Sequence, residues 1–174
     1  ITPDRPETGY GYIKVKNSNE VAEVDSFVEK PDQITAKKYI ADGNYFWNAG
    51  IFCMQIKTIL SALQKDAPQI LEHLKKIALN KNSSQEISRE YTAIKNLKQN
   101  ISIDYAVMEK EADNMLLIKA GEDLAWNDVG GWVALAKYNP PDKNNNLIFN
   151  YLSCQLKLDN CHNLLIVTSK NGLL

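Results

Sequence analysis

Four short stretches of the sequence carry side chains that suit sugar and phosphate chemistry. In WNDVGG, the carboxylate of Asp128 stands among apolar residues, just before Gly130 and Gly131, which can supply a turn without it. Magnesium accepts one or two protein carboxylates, keeps several waters and takes its other oxygen ligands from substrate phosphates. Asp128 is therefore the candidate metal ligand. We expect it on a turn at the end of a strand, where open α/β sheets bind ligands.

The stretch FVEKP places opposite charges side by side where Pro31 ends a strand. Successive side chains of a strand point to opposite faces, so Glu29 and Lys30 cannot share one face unless the backbone geometry breaks there. A carboxylate can accept hydrogen bonds from two sugar hydroxyls, and an ammonium group can pair with a phosphate as a compact charge. The alternative is a solvated charge pair at a strand end.

The other two stretches are RPETGYGYI and YFWNAGIF. Gly11 stands where a strand begins, and the absence of a Cβ would let a ligand approach the backbone closely. A turn that leads into a strand explains the same pattern. The amide of Asn48 offers a donor and an acceptor to a sugar hydroxyl, but an asparagine at this position could equally close a turn through its own backbone.

The elements that must position these residues alternate between strands and helices, which predicts an α/β fold. Residues 50–56 form a continuous apolar run, which is typical of a strand buried on both faces. The remaining predicted elements are a hairpin over 9–15 and 21–30, a helix up to Asp42 with Asp32 and Gly43 as caps, two helices over 57–79 with Pro68 in the first turn of the second, a helix over 84–99 capped by Ser83, a short helix in SIDYAVMEK, a strand in NMLLIKA and a helix in GWVALAKY.

Composition restricts the class of protein. The 174 residues suffice for about one domain, and 20 basic against 21 acidic residues give no general attraction for nucleic acid. We expect no membrane contact, because no apolar stretch approaches the length of a membrane span. Two histidines and three cysteines without a CxxC pair offer no zinc constellation. We interpret Cys53, Cys154 and Cys161 as free thiols and expect a cytoplasmic location.

The five stretches RPETGYGYI, FVEKP, YFWNAGIF, SIDYAVMEK and WNDVGGW occur in this order. Together they resemble the second half of the nucleotidyltransferase domain of mannose-1-phosphate guanylyltransferases, including the bacterial type that also carries a phosphomannose isomerase domain. The resemblance implies a Rossmann-like α/β/α partial domain over residues 1–138. It also implies that residues 139–174, which begin at NPPDKNNN, are a linker followed by the first strands of a left-handed β-helix-like region.

The activity that the resemblance implies is transfer of GMP from GTP to mannose 1-phosphate, which gives GDP-mannose and pyrophosphate with Mg²⁺ as cofactor. Carried over by position, Glu29 resembles the residue that holds the mannose hydroxyls, and Lys30 resembles the catalytic residue that meets the sugar phosphate. Asn48 and the backbone around Gly11 resemble further sugar contacts. Asp128 resembles one of two catalytic, magnesium-binding aspartates. Asp104 either supports these residues or caps its own short helix.

The family's glycine-rich nucleotide loop and its other magnesium aspartate have no counterpart in this sequence, so we expect a fragment that is inactive alone. Separately, we expect the parent protein to be a homo-oligomer. Two alternatives stay open: a non-catalytic module that binds a sugar nucleotide, and a transferase for another sugar 1-phosphate. A glycoside hydrolase that uses Glu29 and Asp128 is a remote third. The ammonium group of Lys30 favours an ionised carboxylate, whereas an acid catalyst must be protonated.

Overall fold

The computed structural model describes residues 1–98, 100–124, 126–135, 138–150, 153, 155–169 and 172–173. The chain divides into two compact units, Ile1–Leu124 and Ala125–Leu174. None of the helices in these described ranges is long and apolar enough to cross a membrane. Cys53 and Cys161 carry free thiols, and Cys154 lies outside the described residues.

The first unit combines one antiparallel sheet with helices and short helical turns. Its sheet has the order β3-β1-β2-β4, and every neighbouring pair is antiparallel. The strands are β1 (Gly11–Val15), β2 (Val21–Glu29), β3 (Tyr45–Trp47) and β4 (Leu116–Ile118). The helices are α1 (Gln33–Asp42), α2 (Ile56–Asp66), α3 (Pro68–Leu79) and α4 (Ser84–Lys95), with a π-helical turn at Asp104–Met108 and 3₁₀ turns at Ala112–Asn114 and Glu122–Leu124.

The β1–β2 hairpin is the centre of this sheet and confirms the predicted hairpin. Gly11 pairs with Glu29, and the register shifts by one residue beyond Lys14, so that Val15 faces Val24. Such a bulge keeps the apolar side chains of β2 on one face after the extra residue. That face packs against the π-helical turn and the first 3₁₀ turn in a core that consists of Val15, Ala22, Val24, Phe27, Met108, Ala112 and Leu117.

The helix boundaries follow from local capping chemistry. The Asp32 side chain accepts a hydrogen bond from the backbone N–H of Thr35 at 2.7 Å, and Gly43 ends α1 with a left-handed φ of 79°. Pro68 occupies the first turn of α3, where its missing N–H removes no helical bond. Ser83 caps α4 through the N–H of Glu86. These caps confirm the predicted helices, although α4 ends at Lys95, before the expected residue 99.

The prediction of a buried strand over residues 50–56 is wrong. Ile51 and Ile56 are 76% and 77% exposed, and residues 51–55 form neither helix nor strand. Gly50, with a left-handed φ of 71°, turns the chain after β3. A strand buried on both faces needs neighbouring strands and covering helices. No strand within the described part of the chain pairs with this run, so its apolar composition alone does not make it a strand.

The second unit contains a short helix, α5 (Trp132–Leu135), and a three-stranded sheet. Strands β5 (Leu147–Phe149) and β6 (Leu165–Ser169) are parallel, and β7 (Gly172–Leu173) pairs antiparallel with β6. The fully buried Asn146 holds the start of this sheet. Its amide nitrogen donates to Asp142 and to the carbonyl of Cys161, both at 3.0 Å. Its amide oxygen accepts from the N–H of Leu164 at 3.0 Å.

Candidate functional site

The end of strand β2 presents an ion pair in a broken strand geometry. The Nζ atom of Lys30 lies 3.1 Å from Oε1 of Glu29, and the Glu29 side chain is 7% exposed while that of Lys30 is 52% exposed. Lys30 has a left-handed φ of 48°, which is uncommon for a residue with a long side chain. The regular strand conformation therefore ends between Glu29 and Lys30, as the adjacent opposite charges predicted. One side chain lies within the fold and the other reaches solvent.

The charge state of Lys30 follows from this pair. The hydrogen bond to Glu29, and then its negative charge, raise the pKa of Lys30 above its ordinary value. The lysine therefore carries a full positive charge at neutral pH. The backbone N–H of Lys30 still donates to the carbonyl of Tyr10 at 3.2 Å, so the residue stays attached to the start of β1 despite its left-handed conformation.

Gly11 makes room for the carboxylate of Glu29. A Cβ placed on Gly11 would lie 2.6 Å from Oε2 of Glu29, 3.2 Å from Cζ of Phe27 and 3.3 Å from Cβ of Asn48. The group that approaches the backbone of Gly11 in this structure is therefore a carboxylate from the neighbouring strand. The glycine acts on the candidate site through Glu29, because any larger residue would displace that side chain.

Asn48 closes a turn and also contacts a second acidic residue. Its Oδ1 accepts from the backbone N–H of Gly50 at 2.9 Å, and its Nδ2 donates to Oδ1 of Asp104 at 3.2 Å. Its own N–H donates to the carbonyl of Gly11 at 2.8 Å. The turn interpretation is thus confirmed. An amide carries a second N–H and a second oxygen lone pair, so these bonds leave Asn48 able to contact a sugar hydroxyl as well.

The sequence did not single out two residues that contact the end of β2. Glu109 accepts a hydrogen bond from the backbone N–H of Glu29 at 2.7 Å, and the hydroxyl of Tyr105 donates to the carbonyl of Glu29 at 3.3 Å. Asp104, interpreted from sequence as a supporting residue or a helix cap, supports Asn48. The only signal in the sequence was a set of polar residues around the apolar AVM of SIDYAVMEK, which does not identify their partners.

The structure thus brings Gly11, Glu29, Lys30 and Asn48 together at one end of the β1–β2 pair. Asp128 belongs to the second unit, where it is exposed and lies in irregular structure before α5. The expectation that it follows a strand is wrong, because β4 ends at Ile118 and a 3₁₀ turn intervenes. A Cβ on Gly130 would lie 3.5 Å from Oδ2 of Asp128, which is an ordinary contact, so the glycine is not needed to make room for this carboxylate.

The donor chemistry of Asp128 limits which metal it could serve. No group of three or more His, Cys, Asp and Glu side chains is placed to hold a metal ion within the described ranges. One exposed carboxylate fits a hard cation that takes a single protein ligand together with waters and phosphate oxygens, as magnesium does. It does not fit a structural zinc ion, which needs about four protein ligands.

Comparison with known proteins connects this arrangement to a family. Residues 1–145 match the profile of the nucleotidyl transferase family. The whole chain is 37% identical to 40% of the mannose-1-phosphate guanylyltransferase of Klebsiella pneumoniae. The alginate biosynthesis protein AlgA of Pseudomonas aeruginosa is 35% identical over 84% of this chain and 31% of its own length. The chain thus spans about two fifths or less of these relatives.

A solved structure supports the fold. The crystal structure described as mannose-1-phosphate geranyltransferase from Thermus thermophilus superposes on 99% of this chain and 53% of its own, with a TM-score of 0.66 and 26% identity. The curated and structural relatives together confirm the resemblance that the five sequence stretches indicated.

Proposed function

The chain belongs to the nucleotidyl transferase family and has its α/β fold, and from this premise we propose that it is part of a mannose-1-phosphate guanylyltransferase. The full-length protein would transfer GMP from GTP to mannose 1-phosphate, giving GDP-mannose and pyrophosphate. The names of its relatives support the substrate. The observation that carries the proposal is the Glu29–Lys30 pair, in which a nearly buried carboxylate and a half-exposed ammonium group lie 3.1 Å apart at a strand end.

Glu29 suits the sugar part of the substrate. Its carboxylate lies against Gly11 and is 7% exposed, so it has little rotational freedom left to lose on binding. An ionised carboxylate accepts hydrogen bonds only, and it has enough lone pairs to take two hydroxyls of one sugar ring. Asn48 and the backbone around Gly11 would add further contacts to the sugar.

Lys30 suits the phosphate of the sugar. Its ammonium group is charged at neutral pH and half exposed, so it can pair with an incoming phosphate as a point charge. In the reaction, an oxygen of the sugar phosphate forms a bond to the α-phosphorus of GTP while the bond to pyrophosphate breaks. The protein's contribution to such transfers is positioning and charge stabilisation. Lys30 would orient the attacking phosphate and offset part of its charge.

Asp128 is the residue we assign to Mg²⁺. When bound, the ion would offset negative charge on the nucleotide and sugar phosphates. The single exposed carboxylate of Asp128 would hold the ion as one of the few protein ligands that magnesium takes in phosphoryl-transfer sites. The second magnesium aspartate and the glycine-rich GTP loop would come from parts of the full-length protein other than this chain.

Residues 139–174 would then form a linker and the first strands of a left-handed β-helix-like region. The parallel pairing of β5 with β6 supports this, because successive coils of such a region place their strands parallel. Homo-oligomeric assembly and a cytoplasmic location stay predictions.

Product analysis on the full-length protein tests this function. Purified protein is incubated with GTP, ATP or UTP and with mannose 1-phosphate or glucose 1-phosphate, and the products are separated by anion-exchange chromatography. GDP-mannose as the main product is expected. A different sugar nucleotide would show a transferase for another sugar phosphate, and tight binding of GDP-mannose without turnover would show a non-catalytic module.

Lys30→Ala, with exposed Lys37→Ala on α1 as the matched control, tests the role of the ion pair. The lost partner is a charged phosphate, so Lys30→Ala should raise the KM for mannose 1-phosphate by roughly tenfold or more and leave that for GTP nearly unchanged. A change confined to the GTP dependence would refute the assignment of Lys30.

A further inference from the structure

We propose that residues 104–109, named here the 104–109 clamp, position the Glu29–Lys30 pair and Asn48 for the sugar phosphate, with Glu109 and Tyr105 as positioning residues. The inference rests on the proposed function, since the substrate of the clamped residues is mannose 1-phosphate. Three side chains of one short segment each bond a different group of the candidate site.

The clamp holds both peptide groups of Glu29. Glu109 accepts from its N–H at 2.7 Å, and Tyr105 donates to its carbonyl at 3.3 Å. Glu29 is the last residue of β2. In the peptide that joins it to Lys30, the N–H is held by the carbonyl of Tyr10, and the carbonyl is held by Tyr105. A left-handed backbone in a lysine is unfavourable and persists only where its surroundings determine it. The hairpin supplies the Tyr10 contact, and the clamp adds two contacts from outside the hairpin.

The third contact of the clamp reaches Asn48. Asp104 accepts from its amide nitrogen at 3.2 Å. The other end of that amide is fixed by the N–H of Gly50, so both ends of the Asn48 side chain are held. An amide whose oxygen and nitrogen positions are fixed presents its remaining donor and acceptor in one orientation.

The clamp is anchored in the core through its middle residues. Ala106, Val107 and Met108 are at least 95% buried, and Met108 belongs to the cluster that includes Phe27 of β2. The side chains of Asp104, Tyr105 and Glu109 therefore project from a segment whose backbone is fixed by core packing. Positioning by packed supporting residues is what holds functional side chains within a fraction of an ångström.

The π-helical form of the turn brings the ends of the clamp together. The N–H of Glu109 bonds the carbonyl of Asp104 at 2.9 Å, five residues back, whereas an α-helix bonds four residues back. Residues 104 and 109 therefore lie on the same side of the turn, next to Tyr105. π-Helical turns are rare and are found frequently at functional sites, which agrees with a turn whose polar residues all contact candidate site residues.

The test compares Glu109→Ala, Glu109→Gln and Tyr105→Phe in the full-length protein. The control is Glu72→Ala, which removes an exposed glutamate that pairs with Lys76 on α3. We expect Glu109→Ala to raise the KM for mannose 1-phosphate roughly 10- to 100-fold, because a misplacement of about 1 Å can have this effect. The KM for GTP should change less than about twofold. Glutamine keeps an acceptor oxygen, so Glu109→Gln should retain most of the wild-type behaviour.

A second readout does not depend on activity. Amide hydrogen exchange of the peptide that spans residues 27–30 should become faster in Glu109→Ala and stay near wild type in Glu109→Gln and Glu72→Ala. If Glu109→Ala does not fold, Tyr105→Phe is measured in the same way. Its hydrogen exchange at residues 27–30 should rise less, because this change removes only the contact to the carbonyl of Glu29.

The outcomes separate the clamp from the proposed function. Unchanged hydrogen exchange at residues 27–30 in both Glu109→Ala and Tyr105→Phe overturns the clamp. An equal rise in the KM values for mannose 1-phosphate and GTP also overturns it, because that would indicate general destabilisation. If exchange rises as expected but Lys30→Ala leaves the KM for mannose 1-phosphate unchanged, the clamp exists and the assigned substrate site is wrong.

Discussion

Replacing Gly11 by alanine tests how closely the Glu29 carboxylate is fitted to strand β1. The added Cβ would lie 2.6 Å from Oε2 of Glu29, and ordinary van der Waals contact begins at 3.4 Å, so the oxygen has to move by about 0.8 Å. Phe27 and Asn48, at 3.2 and 3.3 Å from the new methyl group, restrict movement of the backbone in the other directions. The carboxylate is the group that yields, because it is the end of a flexible side chain.

A displacement of this size should weaken the use of mannose 1-phosphate strongly. A shift of about 1 Å in a positioned group can reduce catalytic efficiency by about 10²-fold, so kcat/KM for mannose 1-phosphate should fall roughly 10- to 100-fold. Overpacking should also lower the free energy of unfolding by about 1–3 kcal/mol. Pyrophosphate release at saturating GTP with varied mannose 1-phosphate gives the first quantity, and denaturant unfolding followed by circular dichroism gives the second.

Gly9→Ala is the matched control. A Cβ on Gly9 would lie 3.4 Å from its nearest neighbour, Oε1 of Glu7, which is an ordinary contact. In a Glu29→Ala background, Gly11→Ala should have little further effect on kcat/KM, because the displaced carboxylate is already absent. Two results would refute the reasoning. One is an unchanged kcat/KM for mannose 1-phosphate in Gly11→Ala, and the other is a further fall in kcat/KM of roughly 10- to 100-fold when Gly11→Ala is added to Glu29→Ala.

Three further substitutions test other parts of the account. Asp128→Ala should lower kcat by roughly 10²–10³ and change its magnesium dependence; normal turnover over a magnesium titration would contradict the metal assignment. Hydrogen bonds from His73 and Arg89 lower the pKa of Glu90 below its ordinary 4.5, so its stabilising contribution is present above that pH and is lost as pH falls through the folded-state pKa. Glu90→Gln should therefore flatten the decline in melting temperature below about pH 4.5, and an unchanged profile would count against the pairing. Asn146→Ala should destabilise the second unit by about 1–3 kcal/mol, seen as faster hydrogen exchange in β5 and β6, because buried backbone groups lose their partners; unaltered exchange would show that they find other partners.

Local chemistry was readable from the sequence. The caps of α1 and α4 and the proline of α3 depend on residues within about one helical turn, so side-chain type and spacing suffice to predict them. The hairpin follows from two β-rich runs joined by turn residues. The break at Lys30 was also predictable, because adjacent side chains of a regular strand point to opposite faces, so Glu29 and Lys30 can pair on one side only where the strand geometry ends.

Features that depend on distant partners were not readable. Glu109 and Glu29 are 80 residues apart, and nothing in either stretch indicates the other. Gly11 indicated a close approach to the backbone, but its type does not tell whether a ligand or a neighbouring side chain approaches. The apolar run over 50–56 was misassigned for the same reason, since burial on both faces depends on the strands that flank it.

The most direct test of the central claim is a crystal structure of the full-length protein with mannose 1-phosphate bound. We predict that both carboxylate oxygens of Glu29 lie within about 3 Å of sugar hydroxyls and that Nζ of Lys30 lies at a similar distance from a phosphate oxygen. A sugar phosphate bound elsewhere, with Lys30 turned to solvent and Glu29 contacting only the protein, would contradict the account.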